Sequence, residues 1–368
     1  MTNRERIFAA FNHMEVDRTP IFEYLLGGEC AKALAKRAYI DYTIDLTAWN
    51  NSVDELGFSE TLRRYVSAKL DISELLGHDM LYVCPNPVPK KGYFYDPLVT
   101  VDTFFSLDSS ADPVERVQIR NEKVREEFLE KTSPDSFAVY AEFQDQMADR
   151  GIDLPIFAPA YFHGIWNDVD LMQTVLLSPE VAKEHFKIAT IRAKQIIDQY
   201  LGQDIQIIGI GGDFAGKVPL ISPEVYREFI VPEVRILADH IRSHNGFSVN
   251  ATDGNIWSVI DDFIYGCGVD AYMEIDYSAG MTIGKLKERF GERLTLMGNM
   301  DCGTILTYAK ESEIAEITHT ILDEGWGNGG HIFTASNAIT SSVPLHNYLA
   351  MVNAYRNHFS VDPIKLKD

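Results

Sequence analysis

The chain has 368 residues, 46% of them hydrophobic, which is enough to bury one large core. Its 33 basic and 54 acidic residues give a formal net charge of −21, and this balance argues against a nucleic-acid partner, because phosphate backbones are bound through Lys and Arg. The N-terminal stretch MTNRERIFAAFNHMEVDRTP is charged throughout, and no apolar run approaches the roughly 18 residues that span a bilayer. We therefore expect a cytoplasmic protein with no membrane partner.

The first third of the chain mixes helical patterns with short apolar runs. Residues 3–13 have helical periodicity, and the run PIFEYLL at 20–26 predicts a first strand. Residues 28–76 are mostly helical in pattern, and MLYVCPNP at 80–87 predicts a second strand. The stretch 87–112 is rich in Tyr, Phe, Val and Thr, which predicts a small β insertion.

Further along the chain, short apolar runs alternate regularly with helical patterns. Six such runs begin near residues 154, 204, 246, 269, 293 and 330, and with the first two they make eight predicted strands. Alternating strands and helices predict a parallel sheet, and eight units predict closure into a (β/α)8 TIM barrel of the α/β class. We expect one domain over 1–368, with an N-terminal helical elaboration. An open doubly wound sheet is the alternative, although the first strand lacks a Gly-x-Gly-x-x-Gly start.

Polar residues stand at the predicted C-terminal ends of these strands, which converge on one cavity in such a barrel. The set comprises Glu23, His163, Asp213, Asn250, Asp253, Glu274, Asn299, Ser336 and Asn337. Several of these could instead cap the following helix. Aromatic residues near the strand ends, which suit a flat apolar substrate or ordinary core packing, are Tyr24, Tyr161, Phe162, Phe214 and Tyr272. The four cysteines are scattered and predict free buried thiols.

Several segments together resemble the uroporphyrinogen decarboxylase superfamily. They are MTNRERIFAAFNHMEVDRTPIFE, LISPEVYREFIVPEVRILADHIRSH, GFSVNATDGNI, GVDAYMEIDYSAGM and LTLMGNMD. The resemblance implies the same barrel and covers almost the whole chain. The superfamily contains the decarboxylases of tetrapyrrole synthesis and also corrinoid-linked methyltransferases.

Two branches of this superfamily match the chain poorly. The decarboxylases carry an Arg-rich segment after the first strand, whereas this chain reads FEYLLGGECAKALAKR, and an acidic cavity would repel a substrate with many carboxylates. The thiol-methylating branch carries a His-x-Cys zinc pair where this chain has Asn250-Ala251-Thr252, and another Cys where it has Ser336.

A third branch, the ether-cleaving methyltransferase I of O-demethylase systems, is associated with a zinc pattern Glu-x14-Glu-x20-His. This chain contains the pattern as Glu127, Glu142 and His163, and two carboxylates with one imidazole suit a catalytic zinc. The alternative is that both glutamates are solvated helix residues, in which case His163 with Asp213 or Glu274 is the fallback set.

The resemblance implies transfer of a methyl group from a methoxyarene, or a related methyl donor, to the cobalt of a separate corrinoid protein. Asp213, Asn250, Tyr161 and Glu274 are the predicted catalytic residues. Glu23, Tyr24, Phe162, Phe214, Asn299, Ser336 and Asn337 are the predicted substrate-binding residues. The alternatives are a decarboxylase of a cyclic or aromatic acid and a non-catalytic ligand-binding barrel. A homodimer is one assembly consistent with these expectations.

Overall fold

The computed structural model describes residues 1–35, 39–90, 93–95, 112–127, 134–165 and 168–366. Its strands are β1 (Leu81–Tyr82), β2 (Val88–Lys90), β3 (Tyr93–Tyr95), β4 (Ile156–Phe162), β5 (Ile207–Gly211), β6 (Phe247–Ala251), β7 (Ala271–Met273), β8 (Thr295–Met297) and β9 (His331–Ile332). Its helices are α1 (Asn3–Phe11), α2 (Gly28–Ala35), α3 (Leu46–Leu56), α4 (Phe58–Leu76), α5 (Pro113–Glu127), α6 (Ala138–Arg150), α7 (Val169–Leu177), α8 (Pro179–Leu201), α9 (Pro223–Val225), α10 (Val231–Ser243), α11 (Ile283–Phe290), α12 (Ile305–Tyr308), α13 (Glu311–Gly325) and α14 (Leu345–His358).

Seven of these strands form one sheet in the order β1-β4-β5-β6-β7-β8-β9, and β2 pairs with β3 in a separate antiparallel hairpin. Pairing is parallel between β4 and β5, between β5 and β6, and between β8 and β9. Parallel strands that follow one another in chain order, each connected through helices, are the arrangement of a (β/α)8 barrel. The predicted fold class is confirmed.

The first predicted strand is present only as isolated pairing. Ile21 makes a parallel bridge to Phe333, directly after β9, and Leu26 makes another to Ile339. On its other side the Ile21 carbonyl accepts a hydrogen bond from the backbone N of Asp79, just before β1, at 2.7 Å. The segment therefore lies between the first and last strands of the sheet and takes the eighth position of the barrel.

Several local predictions are confirmed and two are refined. Helix α1 lies within the predicted stretch 3–13 and begins with a capping box, since Thr2 Oγ1 accepts from Glu5 N and Glu5 Oε2 accepts from Thr2 N. The helical pattern between the predicted strands at 154 and 204 forms two helices, because Pro179 occupies a first-turn position and starts α8. The helical pattern after Asn250 forms a π-helical segment at Asp262–Gly266. The hairpin of β2 and β3 falls in the predicted insertion, and the rest of that stretch up to 111 lies outside the described residues.

The chain forms two compact units. One consists of Met1–Cys84, Val139–Ile156 and Met273–Asp368, and the other of Pro85–Ala138 and Phe157–Tyr272. The expectation of a single domain over the whole chain stays a prediction. In the part of the chain that the structure describes, every helix is too short or too polar to cross a bilayer.

A buried carboxylate holds the start of the first unit together. Asp79 is 0% exposed and accepts from Arg6 Nη1 at 2.6 Å, from both terminal nitrogens of Arg18 at 2.7 and 2.8 Å, and from Ile21 N at 2.9 Å. Four donors on two oxygens satisfy this carboxylate, and the two guanidinium groups compensate its charge. The interaction joins α1, the segment before Ile21 and the start of β1.

Replacing Asp79 with Ala should destabilise the protein strongly, because Arg18 loses the carboxylate it pairs with and the buried Arg6 loses one of its two, the other being Asp17. We expect a loss of about 3–5 kcal/mol in the free energy of unfolding. Urea denaturation followed by circular dichroism measures it. The matched control is Asp153→Ala, which removes the pair of Arg4 with a carboxylate that is 58% exposed and should cost about 1 kcal/mol or less. Equal losses of stability in the two variants would contradict the structural role assigned to Asp79.

Candidate functional site

Glu23 is a buried carboxyl group in the first unit, beside the residues that follow β9. Its side chain is 7% exposed. Thr334 Oγ1 donates to Glu23 Oε1 at 3.2 Å, and Tyr24 N donates to the same oxygen at 3.3 Å. The Tyr348 hydroxyl and the Ala335 backbone N also donate to this carboxyl group. Residues far apart in the sequence therefore converge on one acid.

Burial raises the pKa of Glu23 to about 8, and the hydrogen bonds from Tyr348, Thr334, Tyr24 and Ala335 oppose this increase. Desolvation penalises the charged form, and neutral donors recover only part of that penalty. No cationic group is among the causes of this shift, in contrast to Asp79 with its two arginines. Glu23 is therefore a neutral acid at pH 7 with a proton to donate.

Aromatic side chains stand next to this acid. The ring of Tyr24 packs edge-to-face on Tyr82 with centroids 4.5 Å apart. The cavity at this place is lined by Glu23, Tyr24, Leu26, Tyr39, Lys69, Ile72, Ser73, His78, Met80, Leu81 and Tyr82. Its volume is about 20 Å³, room for a water molecule rather than an aromatic ring. Burial and the charge of Lys69 lower the pKa of His78 to about 3, so this imidazole is neutral.

Four other predicted residues of the first unit lie after β7, β8 or β9. Ser336 Oγ is 3.7 Å from Cys302 Sγ, and Asn337 Oδ1 accepts from Ala338 N at 2.6 Å. Asn299 is fully buried and donates through Nδ2 to the Met281 carbonyl at 2.7 Å, while its Oδ1 has no partner among the described residues.

Glu274 has an unusual backbone conformation. It is buried, and its φ of 65° lies in the left-handed region that residues with a Cβ rarely adopt. Such a conformation costs on the order of 1–3 kcal/mol and persists where the surrounding structure imposes it, which is common at functional sites. The predicted catalytic role of Glu274 stays a prediction.

In the second unit, His163 directly follows β4 and is 2% exposed. Ile165 N donates to its Nδ1 at 3.4 Å, and the ring makes another hydrogen bond to the Gly212 backbone. Burial lowers the pKa of His163 to about 4. The imidazole is neutral at pH 7, and backbone groups fix its orientation.

Asp213 and Asn250 stand after β5 and within β6, and both bond to nearby loops. Asp213 Oδ1 accepts from Asp253 N at 2.9 Å, and burial raises the pKa of this carboxyl group. Asn250 accepts from Ala251 N at 3.1 Å and bonds to the Tyr226 hydroxyl. These contacts give both side chains a structural task in holding the strand-end loops.

A glycine lets Asn250 approach the neighbouring strand. A Cβ on Gly211 would lie 2.1 Å from Asn250 Oδ1, so no larger residue fits at position 211.

The aromatic candidates of the second unit differ in environment. Phe214 is fully buried and packs on Tyr226 with centroids 4.5 Å apart, whereas Phe162 is exposed. The Tyr161 ring is buried, and Thr190 of helix α8 is close enough to influence the pKa of its hydroxyl, which burial raises strongly. Tyr161 therefore packs towards the helix layer of its own unit.

The predicted zinc site of Glu127, Glu142 and His163 stays a prediction. Glu142 is on α6 in the first unit, where its Oε1 accepts from Gln146 Nε2 at 2.7 Å. A metal would take one ring nitrogen of His163, and the other nitrogen could keep its backbone hydrogen bond. Glu127 ends α5, and its side chain lies outside the described residues. Among the described side chains, no group of three His, Cys, Asp or Glu residues is arranged to hold a metal ion.

Some residues around Glu23 carry no signal in the sequence. Tyr348 is inside α14 and reads as one more buried aromatic residue of an amphipathic helix. Thr334 follows β9 beside two residues that were predicted, Ser336 and Asn337, and its position after an apolar run could have indicated it.

Comparison with known proteins agrees with this architecture. The family model described as Uroporphyrinogen decarboxylase (URO-D) matches residues 167–358, slightly more than half of the chain. With the parallel sheet and the polar strand ends, this defines a (β/α)8 barrel of the class that houses enzymes. The chain belongs to the uroporphyrinogen decarboxylase family.

Individual relatives share about a third or less of their residues with this chain over the matched region. A uroporphyrinogen decarboxylase of Coxiella burnetii is 29% identical over 148 residues, which are 39% of this chain and 38% of the relative. One of Pseudomonas putida is 33% identical over 170 residues, 44% of this chain and 45% of the relative. The chain thus spans less than half the length of both relatives.

A solved structure, a methyltransferase from Methanosarcina mazei, covers 98% of this chain and 99% of its own, with a TM-score of 0.63 and 16% identity. At this identity the likeness shows the fold alone.

The protonated state of Glu23 has a measurable effect on stability. The folded pKa of about 8 exceeds the ordinary value of 4.5, so the contribution of this group is complete below pH 4.5 and is lost as the pH rises through 8. Between about pH 5 and 8 the unfolding free energy should fall with a slope approaching about 1.4 kcal/mol per pH unit from this group, and above pH 8 this contribution to the slope should vanish. Glu23→Gln should flatten that slope.

The matched control is Glu29→Gln, which alters an exposed carboxylate that pairs with Lys32 on α2. It should leave the slope unchanged. Wild-type and Glu23→Gln profiles that run parallel over the whole range would show that Glu23 is already ionised at neutral pH.

Proposed function

We propose that the protein transfers a methyl group from a methoxyarene, or a related methyl donor, to the cobalt of a corrinoid held by a separate protein. The observation that carries this proposal is the neutral, buried carboxylic acid of Glu23 beside the Tyr24 and Tyr82 rings. The likeness of the fold to a protein named as a methyltransferase, over the full length of both chains, supports it.

The chemistry of an aryl methyl ether requires an acid. When the methyl carbon moves from oxygen to a nucleophile, the carbon–oxygen bond breaks and its electron pair stays on the aryl oxygen. A phenolate is a poor leaving group unless that oxygen receives a proton. The corrinoid supplies the reduced cobalt that accepts the methyl group.

Glu23 is suited to provide this proton. Its proton passes to the aryl oxygen, which leaves as a neutral phenol, and Glu23 becomes a carboxylate. The donors Tyr348 and Thr334 and the backbone N of Tyr24 and Ala335 then stabilise the negative charge that has formed. The pKa of about 8 lies near the working pH, where an acid transfers its proton most effectively.

Substrate binding requires a local opening, because the cavity beside Glu23 has a volume of only about 20 Å³. Tyr24 is partly exposed and packs on Tyr82, so rotation of its ring is the smallest change that admits an aromatic molecule. We expect the substrate ring to replace the contact between these two tyrosines.

The second candidate function is decarboxylation, which the names of the curated relatives favour. A neutral acid could equally protonate the carbanion that forms when carbon dioxide leaves. The product distinguishes the two reactions, since one yields a phenol and methylated cobalt and the other yields carbon dioxide. Binding of an aromatic ligand without turnover would indicate a non-catalytic barrel.

The decisive assay combines the purified protein, a reduced corrinoid protein and a panel of methoxyarenes. We expect methylated cobalt, seen in the visible spectrum, and an equal amount of phenol. Glu23→Gln should lower kcat by about 10²–10⁴, the usual contribution of a general acid, with a smaller effect on KM. In the wild type, kcat should fall as the pH rises above about 8, because Glu23 then loses its proton.

Glu29→Gln is again the control and should retain wild-type kcat. Full activity of Glu23→Gln would remove Glu23 from the mechanism while leaving methyl transfer in place. Formation of neither phenol nor methylated cobalt with any donor would contradict the proposed function itself.

Zinc bound by Glu127, Glu142 and His163 is tested separately by elemental analysis. The sequence pattern predicts that Glu142→Ala and His163→Ala both remove zinc from the purified protein. Unchanged zinc content in both variants would contradict the sequence pattern.

A further inference from the structure

Two histidines form a contact between helices α13 and α14. The Nδ1 atoms of His319 and His358 are 3.1 Å apart, whereas the centroids of the two rings are 5.3 Å apart. The rings therefore meet nitrogen to nitrogen, and their planes are inclined by 28°. Such a contact is a hydrogen bond in which one imidazole donates and the other accepts. The proposed methyl transfer makes no use of either ring.

The carboxylate of Asp323 indicates which ring donates. Asp323 is one turn after His319 on α13, and its Oδ1 lies 3.6 Å from His358 Nε2. A carboxylate favours a proton on the ring nitrogen nearest to it, so neutral His358 carries its proton on Nε2. Its Nδ1 then has a lone pair, and His319 has to donate through its own Nδ1.

The helices around the pair are α11, which packs on α13, and α2 and α12, which pack on α14. Helix α12 carries no charged residue. Charged side chains of the other elements bond away from the pair: Lys287 to the carbonyls of Gly325, Gly327 and Gly329, Glu324 to Gly284 N, Arg356 to the carbonyls of Leu76 and Asp362, and Lys32 to Glu29. Among the described residues, Asp323 is the charged group next to the pair, and the exposed Glu316 is one turn before His319.

Acidification removes the acceptor on which this hydrogen bond depends. One added proton leaves an imidazolium donor opposite a neutral imidazole, and the bond persists. When both rings are protonated, two N–H groups and two positive charges face each other. Asp323 compensates these charges only weakly, because its side chain is 73% exposed. The contact between α13 and α14 is then repulsive.

Both helices are connected to the hydrogen-bond donors of Glu23. Tyr348 is part of α14, and α13 is followed by β9 and then by Thr334. The Tyr348 hydroxyl and Thr334 Oγ1 donate to the Glu23 carboxyl group. The histidine contact therefore joins the two elements that supply these side-chain donors.

We propose that His319 and His358 form a proton-sensitive joint between α13 and α14. The joint holds the two helices together while at least one ring is neutral, and it releases them when both rings are protonated. Imidazole is the side chain that changes its charge between about pH 5 and 8, so the joint responds within that range. It operates in the folded chain without substrate and is independent of the proposed methyl transfer.

A double-mutant cycle of His319→Ala and His358→Ala tests the joint, with urea unfolding of the full chain at pH 8 and at pH 5.5. At pH 8 we expect the two histidines to stabilise each other by about fivefold in the folding equilibrium, the usual contribution of one neutral hydrogen bond. At pH 5.5 this mutual stabilisation should vanish or change sign. The cycle cancels the contribution of Glu23, which is present in all four proteins.

The control cycle combines His319→Ala with His346→Ala. His346 is exposed at the start of α14, and about 18 Å of helix separate it from His358. This cycle should give no mutual stabilisation at either pH. Equal mutual stabilisation of His319 and His358 at both pH values, or none at pH 8, would overturn the proposal.

Nuclear magnetic resonance of the wild type, labelled at its histidine nitrogens, tests the hydrogen bond without a substitution. Spectra of the two single variants assign the signals. At pH 8 His319 should be the Nδ1–H tautomer and His358 the Nε2–H tautomer. The Nε2–H tautomer in both rings would show that no hydrogen bond joins them, and the proposal would fail.

Discussion

The charge of Asp79 is the constraint on which the first unit depends. This carboxylate is completely removed from water, and two arginines and the backbone of Ile21 satisfy it. Ile21 pairs with the last strand on one side and with the residue before β1 on the other. Glu23 follows two residues later, so the ion pair that closes the barrel also fixes the position of the proposed acid.

The same unit contains two buried carboxyl groups whose partners differ. Asp79 contacts two guanidinium groups, whose charges compensate its own. Among the described residues, Glu23 accepts hydrogen bonds from hydroxyl and backbone amide donors, which do not offset the loss of hydration. Asp79 therefore joins parts of the fold through its ion pairs, whereas burial leaves Glu23 a neutral acid at pH 7.

The sequence predicts the repeating part of this protein better than its site. Apolar runs and helix signals are local, and they located β4, β5 and β6 and the start of α1. The first strand was predicted as continuous over PIFEYLL, whereas Ile21 and Leu26 make isolated bridges. The protonation of Glu23 results from burial, and its partners Tyr348 and Thr334 lie more than 300 residues away in the sequence, so no local pattern contains it.

The zinc pattern shows a related limit of prediction from sequence. A spacing of Glu, Glu and His specifies residue types and separations but not the directions of side chains. Glu142 bonds to its own helix neighbour, and His163 bonds to the backbone.

The state of Glu23 also changes the electrostatic argument between the two reactions of the family. From the sequence, Glu23 counted as a negative charge that would repel a substrate with many carboxylates. A neutral acid exerts no such repulsion, so this argument loses its force at Glu23.

A shortage of cationic side chains still argues against a polyanionic substrate. Of the described residues that line the cavity beside Glu23, Lys69 alone is basic apart from the neutral His78, and its Nζ lies 3.6 Å from Asp41. A compensated cation attracts an anion weakly, and a neutral acid among tyrosine rings is better matched to a neutral aromatic ether.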